Sequence, residues 1–331
     1  MSRVLLLGGN GLLGHNVLKQ LLQQGHEVHA LLRRFSSLHT EGFPYVEERL
    51  KLFQGSLLDD GTLREAAQGC DAIINCAGVT NMSLLRYEDY IPVNRDLCSR
   101  LVRLMEDMHI SCMVHTSTAN TIGYGCPQHH ADEQAPMQPP FSRSFYALSK
   151  QEGEVLLMQA AALHPDWHVV VVNPGFMVGA YDTKPSSGTL LLAGYRKPLM
   201  VAPRGGKSFV HVSDAATAIV NALTLGHSGS RYLLTGLNLS LRQFYRLQAR
   251  TCGYRQWLVP LPNMLLSLAG WLGDLLRLCG LQTQLSTRNV RQLMVREYYD
   301  NSSARTDLLM PQTPVDCAIH DFFSWRQNKK T

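Results

Sequence analysis

The chain contains 331 residues, of which 45% are hydrophobic and 17% are charged. These values are typical of a globular protein with one large domain and a smaller appendage, and they exclude a disordered or low-complexity chain. The formal charge of +5 is modest, and the basic residues are spread along the chain. This pattern argues against a nucleic-acid-binding protein, because such proteins concentrate their basic residues in one stripe.

The cysteines and the N-terminus bear on the cellular compartment. The eight cysteines include no C-x-x-C pair and no Cys/His cluster with zinc spacing. The sequence therefore predicts reduced thiols, no metal site and a cytoplasmic location. The N-terminal apolar run is short and interrupted by glycines, unlike a signal peptide.

Short apolar runs alternate with amphipathic segments through the first half of the chain. The runs predict strands at residues 3–7, 28–32, 52–54, 72–76, 112–118 and 167–175. The segments predict helices at residues 12–24, 62–68, 87–108 and 146–163. The strands lack polar alternation, so both faces of their sheet should be covered. We therefore predict an α/β fold with a Rossmann-type, doubly wound parallel sheet.

The regular alternation of predicted strands and helices ends after Pro174, where glycine and proline become frequent. A strand and a helix are predicted within residues 207–223, a strand within 231–236, and mostly helix from residue 240. We predict a first domain over residues 1–174 and a smaller, mostly helical region over 175–331, with an interwoven boundary. The second region should cover the carboxyl edge of the sheet.

Residues 263–281 form the longest apolar segment. Helical spacing places Asn263, Ser267, Asp274 and Arg277 on one face and leucines on the other. Two central charges make a stable membrane span a poor interpretation. We expect the apolar face to pack against the core, and contact with a membrane surface is the alternative.

A glycine-rich turn separates the first strand from the first helix. In "LLLGGNGLLGHNVL", Gly8, Gly11 and Gly14 are three residues apart. Such glycines allow a tight turn, the approach of a pyrophosphate and close packing of helix on strand, while the helix N-terminus attracts phosphate. The turn therefore predicts a dinucleotide site, with a purely structural turn as the alternative.

The end of the second strand bears on the choice of cofactor. NAD enzymes usually have an acidic residue there for the ribose 2′-hydroxyl, whereas this chain has Arg33 and Arg34. Arginine can bind a 2′-phosphate through charge-assisted hydrogen bonds. NADP(H) is therefore favoured, NAD(H) stays open, and two solvated arginines are the alternative.

The segment "FYALSK" places Tyr146 one helical turn before Lys150. A nearby ammonium group should lower the pKa of the phenol, so Tyr146 could exchange a proton with a carbonyl or an alcohol. The preceding strand ends in hydroxyl residues, including Thr118, at the sheet edge where ligands bind. We expect these three residues to act together.

Taken in order, several motifs resemble one family. They are "GGNGLLG", "GSLLDDGTL", "DAIINCAG", "HTSTANTIG", "YALSK", "NPGFMVG" and "SFVHVSDAA". The chain resembles the extended short-chain dehydrogenases/reductases over nearly its whole length. More narrowly, it is similar to the dihydroflavonol 4-reductase-like group of the NAD-dependent epimerase/dehydratase family.

The resemblance implies a set of site residues. Those that would contact the cofactor are Gly8, Asn10, Gly11, Leu12, Leu13, Gly14, Arg33, Ser56, Leu57, Ala77, Gly78, Tyr146, Lys150, Asn173 and Pro174. It also implies catalytic roles for Thr118, Tyr146 and Lys150. Two positions depart from the family pattern. Ser56 replaces an acidic residue at the adenine, and Lys207 replaces an arginine that binds the diphosphate of sugar nucleotides.

The leading hypothesis is an NADP(H)-dependent oxidoreductase that interconverts a carbonyl and a secondary alcohol on a small substrate. An apolar cleft could be lined by Phe176, Met177, Tyr181 and Tyr195, although ordinary core packing explains them equally well. The alternatives are a nucleoside-diphosphate-sugar epimerase or dehydratase with tightly bound NAD, and a non-catalytic NADP sensor. The two long helices, at residues 87–108 and 146–163, could pair in a homodimer. No nucleic-acid partner is expected.

Overall fold

The computed structural model describes residues 1–82, 84–183, 186–281, 283 and 286–328. Its strands are β1 (Arg3–Leu7), β2 (Glu27–Leu32), β3 (Leu50–Gln54), β4 (Ala72–Asn75), β5 (Cys112–Thr116), β6 (His168–Pro174), β7 (Phe176–Val178), β8 (Leu199–Pro203), β9 (Gly206–His211), β10 (Ser230–Leu234), β11 (Leu237–Ser240) and β12 (Trp257–Leu261). Its α-helices are α1 (Leu12–Gln23), α2 (Val46–Arg49), α3 (Asp60–Ala67), α4 (Leu97–Met108), α5 (Phe145–Leu163), α6 (Gly188–Gly194), α7 (Val212–Asn221), α8 (Leu241–Thr251), α9 (Asn263–Leu278), α10 (Thr287–Gln292), α11 (Ser302–Asp307) and α12 (Val315–Asn328).

A seven-stranded parallel sheet organises the fold. Its strand order is β10-β6-β5-β4-β1-β2-β3, and every pairing within it is parallel. Helices α1 and α7 cover one face, where Val4 and Leu6 are buried, while α3, α4 and α5 cover the other, where Leu5 and Leu7 are buried. The predicted doubly wound sheet is confirmed, and the continuous apolar strands follow from burial on both faces.

The later part of the chain contributes to two layers. Strand β10 returns to the main sheet beside β6, so Ser230 pairs with Val170. Strands β11, β9 and β7 form a small sheet, and β12 pairs with β8 in a two-stranded parallel sheet. Helices α8 and α12 pack with these strands around a separate apolar cluster that includes Phe209, Phe244 and Phe322.

The helix predicted over residues 87–108 is interrupted. A 3₁₀ turn spans Tyr87–Asp89, a π-helical turn spans Pro92–Asp96, and α4 follows. Within the wider turn, Asn94 is buried, and its side chain bonds the backbone of Val79 and the Ser149 hydroxyl. Such turns are frequent at functional sites, and this one fixes the loop after β4.

Helix α9 is amphipathic but faces the opposite way to our expectation. Its small and polar side packs on α10: a Cβ at Gly270 would lie 2.9 Å from Thr287 Cα, and Asp274 accepts from the Thr287 N–H at 3.2 Å. Its leucine face is exposed. The prediction that the leucine face packs against the core is therefore wrong. The side of α9 that carries Gly270 and Asp274 contacts α10 instead.

The four apolar residues proposed as cleft walls are partly buried and pack against core clusters. Phe176 contacts Phe209, with ring centroids 5.3 Å apart, and Tyr195 stacks on Phe323 at 4.2 Å. Tyr181 stacks on His15, and Met177 packs against the core below α7. The core-packing interpretation of these residues accounts for their contacts. Among the described helices, none combines the length and apolarity needed to cross a bilayer.

Candidate active site

The glycine turn is fitted tightly into the carboxyl edge of the sheet. Gly8 has φ +77°, and a Cβ there would lie 2.6 Å from Ala77 N. A Cβ at Gly14 would lie 2.1 Å from Gly8 O. Helix α1 starts after Gly11 with neither a side-chain cap nor an acidic residue in its first turn. Its first N–H groups and its dipole are therefore oriented for an anion.

Leu12 and Leu13 can contribute to this turn only through their backbones, because both side chains pack into the core. Asn10 has a different role. Its side chain donates a hydrogen bond to Ser37 Oγ at 2.8 Å, and Ser37 Oγ donates to Arg34 O at 2.7 Å. The glycine turn is thereby linked to the segment after β2, which begins with the exposed Arg33.

Ser56 and Leu57 follow β3, the edge strand beside β2. Ser56 is exposed, and its hydroxyl accepts from the Leu58 N–H at 3.1 Å, while Leu57 packs against the core. Asp59, the other residue considered for adenine, caps α3 by accepting from the Thr62 N–H. These residues lie apart from the tyrosine and lysine, at the far side of the glycine turn.

Lys150 is buried beneath the loop after β4. Its ammonium group donates to Thr116 O at 2.6 Å and lies 3.3 Å from His115 Nε2. A Cβ at Gly78 would lie 3.9 Å from Lys150 Nζ, which is van der Waals contact, so this loop lies close to the amine. Burial lowers the pKa of Lys150, while nearby Cys98 and Glu154 oppose the shift.

Tyr146 and Thr118 meet at the end of β5. The Thr118 side chain lies beside the Tyr146 side chain, and the Thr118 hydroxyl accepts from the Asn120 N–H at 3.3 Å. Burial raises the pKa of Tyr146, and the nearby Thr118 side chain opposes that rise. The predicted lowering of the phenol pKa by Lys150 is therefore wrong here, because the ammonium group is held by Thr116 and His115.

Asn173 points into a buried polar network rather than into open space. Its side-chain amide donates to Thr118 O at 3.1 Å, Thr121 Oγ1 at 3.0 Å and Glu154 Oε1 at 2.8 Å. Pro174 ends β6 and pairs with Leu234 of β10. Asn173 therefore supports the loop that carries Thr118.

Two residues of this network were missed in the sequence. His115 lies on β5, fully buried, with Nδ1 3.1 Å from Asn75 Nδ2; burial first, then the charge of Lys150, lowers its pKa well below its ordinary value. Glu154 is buried on α5 and accepts from Thr121. The spacing of Tyr146, Lys150 and Glu154, four residues apart, was the signal that could have identified Glu154.

A cleft of about 810 Å³ lies at the start of α5, where Phe145, the residue before Tyr146, lines it. Its lining includes apolar side chains (Leu85, Phe145, Leu278, Met294 and Val295) and basic side chains (Arg143, Arg277, Arg288 and Arg291). The Arg288 guanidinium lies over the Phe145 ring, 3.8 Å from its centroid. Burial and the neighbouring Arg277 lower the pKa of Arg288, so an anion beside it would be stabilised.

Lys207, the residue at the family's diphosphate-binding position, is engaged elsewhere. It forms an ion pair with Glu297, and both side chains are largely buried. Burial raises the pKa of Glu297, and Lys207 opposes the rise. The lysine is therefore held by an internal partner.

Comparisons with known proteins identify the family of the chain. The family model described as the NAD dependent epimerase/dehydratase family matches residues 4–234. A Synechocystis sp. protein named for dihydroflavonol 4-reductase is 27% identical over 330 residues, covering 97% of this chain and 93% of the relative. These matches confirm the resemblance that the motifs predicted.

Two further likenesses extend the comparison. A Stigmatella aurantiaca protein named 4-hydroxy-2-methyl-3-oxo-4-farnesyl-3,4-dihydroquinoline-1-oxide ketoreductase is 29% identical over 277 residues, which cover 82% of this chain and 80% of that protein. The crystal structure of the protein gox2253 aligns with a TM-score of 0.82 at 23% identity and covers 99% of each chain. At that identity the structural likeness bears on the fold alone.

Proposed function

Because the chain belongs to the NAD-dependent epimerase/dehydratase family, we propose that it is an NADP(H)-dependent reductase of a carbonyl group, with Tyr146 as the proton donor. The coarser assignment, an NAD(P)-dependent oxidoreductase, follows from the family and its named relatives. The observation that carries the finer proposal is the position of Tyr146 on α5, beside Thr118 and one helical turn before the buried Lys150.

The role proposed for Tyr146 as proton donor requires a protonated phenol. A phenol whose pKa is raised by burial stays protonated near neutral pH, so it can donate a proton to a carbonyl oxygen. In this proposal Thr118 orients the same oxygen, and Lys150, whose amine lies close to Gly78, binds a ribose hydroxyl. The nicotinamide cofactor, when bound, supplies the hydride.

The choice of NADP(H) rests on the segment after β2. Arg33 and Arg34 follow the strand directly, and the bond from Asn10 to Ser37 holds this segment against the glycine turn. The two guanidinium groups suit a 2′-phosphate, because each can donate hydrogen bonds to its oxygens.

The substrate class follows from the cleft. Phe145, Leu85 and Leu278 favour an apolar body, and Arg288 favours an acidic group carried on that body. We therefore propose an apolar carbonyl compound with one acidic group. The Stigmatella relative, named as a ketoreductase of a farnesylated quinoline, is consistent with an apolar ketone.

A nucleoside-diphosphate-sugar epimerase is the second candidate. The arginines of the cleft favour it, since a diphosphate needs such partners. The ion pair of Lys207 with Glu297 opposes it, because the family's diphosphate position is already occupied by an internal bond.

Cofactor turnover separates the two candidates. The purified protein is incubated with NADPH in parallel assays, each of which contains an apolar ketone, its carboxylated analogue or a UDP-sugar. We expect NADPH oxidation with a ketone, fastest with a carboxylated one. Epimerisation of a UDP-sugar by protein that retains bound NAD, with no NADPH oxidation by any ketone, would overturn the proposal.

A further inference from the structure

The two-stranded sheet of β8 and β12 has an apolar outer face. Its inner side chains, Met200 and Leu258, pack against the cluster around α8. The alternating positions point outward, and all four are exposed and apolar: Leu199, Val201, Trp257 and Val259. Trp257 is 79% exposed, far more than a tryptophan that packs within its own chain.

Helix α9 adds a second apolar face, separated from β12 by Pro262 alone. The exposed residues of this face are Leu265, Leu268, Trp271, Leu272, Leu275 and Leu276. Trp271 is 61% exposed. We call these two faces together the apolar surface. Large continuous patches of this kind mark a binding surface, since isolated exposed apolar residues are what monomers usually show.

Exposed cations flank the strands of the apolar surface. Arg196 and Lys197 precede β8, Arg204 follows it, and Arg255 precedes β12. Because β8 and β12 are parallel, with Leu199 opposite Trp257, three of these cations gather at one end. Within the described residues, none of the four is found in an ion pair with a carboxylate.

Acidic residues are few in the segment of the chain that carries this surface. Residues 186–281 contain two carboxylates, Asp214 and Asp274. Asp214 is buried and accepts hydrogen bonds from Thr313, and Asp274 accepts from the Thr287 N–H. The exposed charges that flank β8 and β12 within this segment are therefore positive.

From these observations we propose that the apolar surface binds the face of an anionic lipid bilayer, with α9 lying in the interface. Leucines and tryptophans suit the boundary between headgroups and acyl chains, while arginine and lysine pair with anionic headgroups. A second copy of the chain is a poorer occupant, because a symmetric contact would bring like-charged rims together.

The cleft lined by Phe145 connects this surface to the candidate active site, an inference that rests on the proposed function. Leu278 belongs to α9 and lines the cleft together with Leu85, and both are exposed. An apolar substrate dissolved in the bilayer could therefore enter the cleft past the end of α9 without crossing water.

Vesicle flotation tests the proposal with the full-length protein. Vesicles of phosphatidylcholine alone are compared with vesicles that also contain phosphatidylglycerol, in low and high salt. We expect binding to the anionic vesicles that weakens as salt rises. Trp257→Glu and Trp271→Glu should each weaken binding at least about tenfold, since an acidic group replaces an inserted ring. Arg196→Gln with Lys197→Gln should weaken it roughly tenfold on anionic vesicles only.

Leu163→Glu is the matched control, because Leu163 is 78% exposed at the end of α5, outside the apolar surface. It should bind vesicles like the unaltered protein, and circular dichroism should show that all variants are folded. Equal binding to both kinds of vesicle, or unchanged binding of Trp271→Glu, would overturn the proposal. So would sedimentation showing that Trp257→Glu splits a dimer while no vesicle is bound.

A separate titration of NADPH without vesicles keeps the two proposals distinguishable. If the unaltered protein binds no vesicles but binds NADPH and reduces a ketone normally, the bilayer proposal alone would be refuted. Normal vesicle binding without any reductase activity would sink the proposed function alone.

Discussion

The seven-stranded sheet and the two-stranded sheet of β8 and β12 are both built from apolar strands, but their surroundings differ. Helices cover both faces of the larger sheet, so Val170 and Val171 on β6 are fully buried. The smaller sheet is covered on one face, so Val201 and Val259 are 45% and 46% exposed. An apolar strand therefore predicts a contact with an apolar partner, and that partner need not belong to the same chain.

The largest expected effect is on the free energy of unfolding, which should differ sharply between the two sheets. Val171→Asp places a carboxylate in the covered sheet, and we expect a loss of more than about 4 kcal/mol in the free energy of unfolding, or no folded protein. Val201→Asp, on the outer face of β8, should change it by less than about 0.5 kcal/mol, because the charge stays in water. Urea denaturation followed by circular dichroism measures both. A similar large loss for Val201→Asp would mean that this face is buried.

The proposed carbonyl reduction takes place at the carboxyl edge of the covered sheet. We expect Tyr146→Phe to lower kcat by about 10²- to 10⁴-fold, because the proton donor is removed. The affinity for NADPH should change little, which fluorescence titration checks. Thr118→Ser should keep most of the activity, and Thr118→Val should lose it, since the hydroxyl is the shared group. Full activity in Tyr146→Phe would remove Tyr146 from the mechanism.

The cofactor end of the same edge should respond to charge. We expect Arg33→Asp to weaken NADPH binding by about 2 kcal/mol, because one charge-assisted bond is lost and a repulsion is added. NADH binding should be nearly unchanged. Arg103→Asp, an exposed position on α4, is the matched control and should alter neither affinity. Equal weakening of both cofactors by Arg33→Asp would argue against a 2′-phosphate at this residue.

The sequence was sufficient for the parts of the fold that depend on local pattern. Gly25, with φ +84°, ends α1 where predicted, and α5 begins within one residue of the predicted start. The spacing of Tyr146 and Lys150 predicted a shared helix face. In each case a periodic pattern or a backbone requirement lies within a few residues of the feature that it specifies.

The remaining features depend on residues far apart in the chain. Strand β8 pairs with β12 more than fifty residues later, as Leu199 with Trp257, and no local signal specifies that pairing. The orientation of α9 depends on Thr287 of α10, which supplies a donor for Asp274. Likewise, Lys150 is drawn toward His115 and Thr116 rather than toward the phenol, and only the packed structure shows this competition.

The smallest expected effect concerns His115, at the centre of the covered sheet. Burial holds its folded-state pKa well below the ordinary value, so below about pH 6.5 the unfolded chain binds a proton that the folded chain does not. Stability should therefore fall as the pH drops below that value, by up to about 1.4 kcal/mol per pH unit. His115→Asn should flatten this slope in urea denaturation at successive pH values, whereas His129→Asn, an exposed histidine, should leave it unchanged. Because His26 and His29 also have lowered pKa values, part of the slope should persist in His115→Asn. An unaltered slope in that variant would mean that His115 is protonated in the fold, and Lys150 beside it would then have to be neutral.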